Sequence, residues 1–79
     1  MTMVYEIDPP RNNPVYEVEA EFLHETGSAV LVDVEGEEHW IPDSQIDSNS
    51  EIYVGCGMER GEMATLIIPE WLAQEKGII

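Results

Sequence analysis

From Val15 to Glu25 the chain reads VYEVEAEFLHE, with Glu17, Glu19 and Glu21 alternating with Tyr16, Val18, Ala20 and Phe22. Successive side chains of a strand point to opposite faces, so a period of two predicts a half-buried strand, apolar inside and acidic outside. Thr26-Gly27-Ser28 turns the chain, and residues 29–34 predict a second strand. Glu35-Gly36 makes the next turn, and residues 38–41 a third strand. Residues 42–49 are polar and predict a single helical turn. Residues 52–54 and 62–68 predict two more strands around a glycine-rich loop. Ahead of these, residues 4–7 predict a short edge strand. Residues 8–14 predict a rigid loop, because Pro9, Pro10 and Pro14 remove backbone donors.

The last segment carries helix punctuation. Pro69 suits a first helical position, Glu70 the positive end, Lys76 the negative end and Gly77 the C′ residue. This predicts a short helix within residues 69–77, docked on the sheet by Trp71 and Leu72. The expected architecture is one domain over residues 1–79, mainly β (α+β): a small SH3-like half-open barrel of about five antiparallel strands with a short C-terminal helix. Residues 1–14 are its edge strand and loop, 15–68 its antiparallel strands and 69–77 its helix.

Phase predicts the strand registers. A three-residue loop at Thr26-Gly27-Ser28 opposes Phe22 to Val32 and Ala20 to Val34, all inward. A slip of one residue would mix the faces. The same register opposes Glu21 to Asp33 and Glu19 to Glu35, although like charges directly opposite are destabilising. A two-residue turn at Glu35-Gly36 places Glu38 beside Asp33 and Trp40 beside Leu31, both outward. A three-residue turn would send Trp40 into the core. In the first arrangement an acidic band, Glu21–Asp33–Glu38, runs beside an apolar band of Leu23, Leu31 and Trp40.

Charge sharpens the question of what this face is for. Seventeen acidic residues stand against three basic ones, Arg11, Arg60 and Lys76, for a net charge of −14. Small domains are well served by a net charge of roughly 2 to 8 in magnitude. The excess costs stability by self-repulsion. It also denies nucleic acid and anionic membranes the basic surface they need. The remaining readings are solubility or a halophilic origin on one side, and a basic partner on the other. Hydrophobic residues make up 43% of the chain, enough for a globular core rather than a disordered acidic tail. There is no apolar run of about 18 residues to span a bilayer and no signal-peptide pattern. A single cysteine, Cys56, excludes an internal disulfide and fits a reducing cytoplasm.

Catalytic and metal chemistry find little footing. Gly55-Cys-Gly57-Met-Glu-Arg-Gly61 departs from the dinucleotide pattern, which needs glycine where Arg60 stands. Cys56 with His24 or His39 lacks a nucleophile signature, and the three lack ligand spacing. Asp47-Ser-Asn49-Ser-Glu51 starts like a calcium loop, but Ile52 and Met58 occupy its glycine and glutamate places. Carboxylate pairs among seventeen acids carry no information on glycoside hydrolysis. The expectation is a protein that is not an enzyme, with no cofactor and no metal.

Two stretches, Trp40-Ile-Pro-Asp-Ser-Gln-Ile46 and Ile68-Pro-Glu-Trp-Leu-Ala-Gln-Glu-Lys-Gly77, resemble a family of small phage and prophage domains of uncharacterised function. The likeness is one of motif order and length over roughly residues 15–79. In size and charge the chain also resembles anti-CRISPR proteins and other DNA mimics that block host defence. That second resemblance implies an inhibitor in the host cytoplasm, a monomer or small homo-oligomer, set against a basic DNA-binding surface of a CRISPR–Cas effector, of type I by preference. The candidate contacts are Glu17, Glu19, Glu21, Asp33, Glu35 and Glu38, with Leu31 and Trp40 as apolar additions. The alternative is a phage accessory or adaptor module that binds a protein through Leu31 and Trp40 and is acidic only for solubility.

Overall fold

A computed structural model describes residues 14–79. The strand expected at residues 4–7 and most of the proline-rich loop lie outside the described residues. The element order is β1 (Val15–Glu25), β2 (Ala29–Val34), β3 (Glu37–Pro42), a 3-10 turn (Asp43–Gln45), β4 (Met63–Pro69) and α1 (Glu70–Glu75). The four strands form one antiparallel sheet in the order β3-β2-β1-β4. The fold is therefore mainly β, an open sheet with a short C-terminal helix.

Alternation decides which face is buried. Ala20 and Phe22 of β1, Val30, Val32 and Val34 of β2, Ile41 of β3 and Leu66 and Ile68 of β4 line the inner face. Leu72 and Ala73 of α1 close over them. The helix ends where Gly77 adopts a φ of 77°. Gly77 N–H donates to Gln74 C=O (3.1 Å) and Ile78 N–H to Ala73 C=O (2.8 Å), the paired bonds of a Schellman cap. Trp71, expected to dock the helix, is 49% exposed. Leu72 and Ala73 occupy the inward stripe, and a helix of six residues has only one such stripe to offer.

Three further expectations are corrected. The strand expected at residues 52–54 does not form; Ile52 is fully buried, but it hangs in a loop. Val54 N–H donates to Asp43 Oδ1 at 3.0 Å, and Tyr53–Cys56 closes a turn with Gly55 at a φ of 91°. Those bonds take the Val54 amide and the Tyr53 carbonyl that a ladder would need.

The first hairpin also differs. Glu21↔Asp33 and Phe22↔Val32 pair as expected, but the register then shifts to His24↔Leu31 and Glu25↔Val30. A β-bulge at Leu23 absorbs one residue. Thr26 then faces Ala29 across a two-residue turn, with Thr26 Oγ1 accepting from Ser28 and Ala29 N–H. Arg60 supports the bulge by donating from Nη1 to Leu23 C=O at 3.2 Å. The visible trace in the sequence is Phe22-Leu23, two adjacent apolar residues in an alternating strand. Leu23 is buried (8% exposed) and has no partner on β2, and His24 stands opposite Leu31 in its stead.

Third, Glu19 does not face Glu35. The β1–β2 ladder stops at Glu21↔Asp33, Glu19 pairs with Thr65 of β4, and Glu35 lies in the turn.

Ser50 shows how the outer edge of β4 is protected. Asp47 and Glu51 N–H donate to the carbonyls of Ile67 and Thr65, while Ser50 Oγ accepts from Ile67 N–H at 3.1 Å. The same hydroxyl donates to Ile52 C=O at 2.9 Å, and Ser50 is only 4% exposed. Ser50→Ala leaves the Ile67 amide without its acceptor, so urea unfolding should show a loss of about 1–3 kcal/mol. An unchanged midpoint would mean that water replaces the hydroxyl and the edge is not sealed.

Candidate functional site

The registers compose the outer face of the sheet residue by residue. Along β1, Glu17, Glu19 and Glu21 project from alternate positions, about 6.6 Å apart from the strand rise. Across the sheet, Glu21 lies opposite Asp33 and Asp33 opposite Glu38. The result is an L of five carboxylates, one arm along a strand and the other across three strands.

Hydrogen-bond phase sets the spacing within the transverse arm. Glu35 and Gly36 have φ of 53° and 91°, as a type I′ turn demands at both central positions. That turn closes Val34 against Glu37 as a hydrogen-bonded pair. Asp43 N–H donating to Ser28 C=O at 2.8 Å continues the same phase. Asp33–Glu38 and Leu31–Trp40 are thus non-hydrogen-bonded pairs, with Cα atoms about 4.5 Å apart and side chains at their closest. The phase reverses on the other side of β2, which sets Glu21–Asp33 at about 5.5 Å.

Several acids away from the outer face have a visible structural use. Glu25 Oε1 accepts from Gly55 N–H (2.7 Å), Glu51 Oε1 from Thr65 N–H (2.9 Å) and Asp47 Oδ2 from Asn49 N–H (2.9 Å). On the face itself, Asp33 Oδ1 accepts from Gly36 N–H at 2.8 Å and so helps to hold the turn. Among the described residues, no hydrogen bond or ion pair engages the carboxylates of Glu17, Glu19, Glu21 or Glu38. Glu35 stands apart from the L, at the hairpin tip, exposed and with a left-handed backbone that glycine or asparagine would adopt more readily.

Beside the transverse arm runs a second row, His24–Leu31–Trp40. Trp40 is 44% exposed, and the His24 and Trp40 rings meet edge to face with centroids 6.4 Å apart. Leu31 and Trp40 point outward together as the two-residue turn predicts. His24 takes the place expected of Leu23, because the bulge advances the outward phase by one residue.

The other candidates are not assembled. Among the described residues, no three His, Cys, Asp or Glu side chains gather as a metal-holding group. His24 lies on the outer face, whereas His39 lies on the inner one, its Nε2 3.7 Å from Glu37 Oε1. Asp47 and Asn49 form a local turn through their own hydrogen bond. No described helix is long and apolar enough to cross a membrane.

No protein-family model, no curated protein and no solved structure matches the chain.

Proposed function

We propose that the chain is an inhibitor that occupies a basic, nucleic-acid-binding surface of another protein, with the acidic sheet face standing in for a phosphate backbone. The observation that carries this reading is the L of Glu17, Glu19, Glu21, Asp33 and Glu38. These carboxylates crowd one face across three strands, at a cost to the fold. A rule of local stability broken in one place tends to mark function. The pitch supports the reading as well. Acids two apart on a strand repeat at about 6.6 Å. Two phosphate steps along one DNA strand span about 6.8 Å of helix axis.

The mechanism is steric and electrostatic and involves no bond chemistry. Lysines and arginines that hold phosphates would hold these carboxylates instead. Opposite charge steers the encounter, and salt weakens the complex. The resemblance to phage domains and to acidic inhibitors of host defence directs the proposal to an anti-CRISPR acting on a type I CRISPR–Cas effector. The experiment is a competition in which a purified effector of this type is offered the chain with and without duplex DNA.

The row His24–Leu31–Trp40 favours a second reading, an adaptor that binds a protein through an apolar strip and is acidic for solubility. Under that reading Leu31→Asp or Trp40→Ala abolishes partner binding and charge reversal on β1 does not.

A further inference from the structure

The two edges of the sheet are treated differently. The outer edge of β4 is sealed by residues 47–51, as described above. Among the described residues, nothing covers the outer edge of β3. The hairpin phase turns the N–H and C=O groups of Glu38 and Trp40 away from β2. Among the described residues, no hydrogen bond reaches those four groups. Both residues are exposed, and Pro42, which has no N–H, ends the run.

An unsealed edge is a template for a further strand. A second copy of this chain is a poor occupant, because it would bring Glu37, Glu38 and another net charge of −14 against the same groups. A cationic strand is the complementary one. We propose that β3 receives an extended, basic segment of the partner protein as an added antiparallel strand. This rests on the reading that the partner is basic, and it says how the partner is gripped.

The phase specifies the register. Two residues of the incoming strand, two places apart, exchange backbone hydrogen bonds with Trp40 and Glu38. Their side chains fall on the outer face of the sheet. The one opposite Glu38 meets a carboxylate, with Asp33 directly behind it. The one opposite Trp40 lies over a half-exposed indole, where a guanidinium is held by the ring face. The residue between them points its own N–H to solvent. An Arg-x-Arg pattern fits both positions.

The test uses backbone methylation, which leaves every side chain in place. Four probes are titrated into the isotope-labelled full chain: a capped peptide centred on Arg-Val-Arg, the same peptide N-methylated at the valine, the same N-methylated at both arginines, and spermine, a cation without a peptide backbone. The expected result is that the first two peptides bind alike and slow amide exchange at Glu38 and Trp40. Methylation of the arginine nitrogens should weaken binding about tenfold or more, through the lost hydrogen bonds. If all three peptides and spermine bind alike, the face reads charge alone; the edge proposal is then wrong and the basic-partner reading stands. If spermine binds and the peptides do not, the edge proposal is equally wrong. If no probe binds, the edge proposal fails and the basic-partner reading loses its support with it.

Discussion

Reversal of Glu17, Glu19 and Glu21 to lysine should abolish partner binding, by about a hundredfold or more at physiological salt, while the fold survives. Close charge pairs across interfaces couple by about 1.5–7 kcal/mol, so three reversals exceed a factor of a hundred even at the low end. The fold should tolerate the change because Glu17 and Glu19 are exposed and lie opposite Ile67 and Thr65. A lysine at position 21 turns a like-charge pair with Asp33 into an attractive one, worth roughly 0.2–1 kcal/mol. The melting midpoint of the triple variant should therefore equal or exceed that of the parent. Reversal of Asp47 and Glu51 is an unsuitable control for the fold, since both serve the sealed edge of β4. Glu75, exposed at the C-terminal end of the helix, provides a better one, and its reversal should leave binding within about fivefold, since exposed charge pairs are worth only about 0–1 kcal/mol. Retained affinity in a folded triple variant would reduce the β1 acids to solvation and turn attention to Trp40.

The second large effect concerns stability. Ile52→Ala should cost about 2–5 kcal/mol, the range for truncating a fully buried isoleucine. Domains of this size sit near the low end of the usual stability of about 5–15 kcal/mol, so the variant should be largely unfolded on warming. Ile52 is the anchor of a segment without regular structure. Its own amide and carbonyl are bonded to Ser50 Oγ, and its side chain fills the space between the sheet and the loop. Urea unfolding followed by tryptophan fluorescence measures the loss. A change below about 1 kcal/mol would show that residues 50–54 can detach without opening the core, contrary to the burial of Ile52.

The sequence made some of this legible because strand phase is a strict rule. Once Phe22 and Val32 are assigned to one face, Glu21 and Asp33 must share the other, and the Glu35-Gly36 turn then fixes Glu38 and Trp40. The bulge was hidden because phase reasoning assumes an unbroken alternation, and the adjacent pair Phe22-Leu23 was the only sign that one residue would drop out. Ser50 left no sign at all. A serine in a polar stretch reads as a turn residue, and its use as an acceptor for Ile67 depends on a neighbour seventeen positions away. The strand expected at residues 52–54 failed for the opposite reason. Three apolar residues satisfy a strand pattern, but Ser50 Oγ takes the Ile52 amide, Asp43 Oδ1 takes the Val54 amide, and Gly55 turns the chain. Hydrophobicity alone makes Trp71 a docking residue beside Leu72, whereas the inward stripe of the helix admits only Leu72 and Ala73.

If the chain acts as proposed, its acidic face and duplex DNA compete for one surface of the partner. The direct measurement is the affinity of the chain for a purified type I CRISPR–Cas effector, read by fluorescence anisotropy of the labelled chain, as unlabelled target duplex is added. Full displacement is expected, with an apparent affinity for the chain that falls in proportion to duplex concentration. Raising salt should also weaken the chain and the duplex together, since both would be held by the same cations. A ternary complex of effector, duplex and chain, with an affinity for the chain unmoved by saturating DNA, would contradict the proposal.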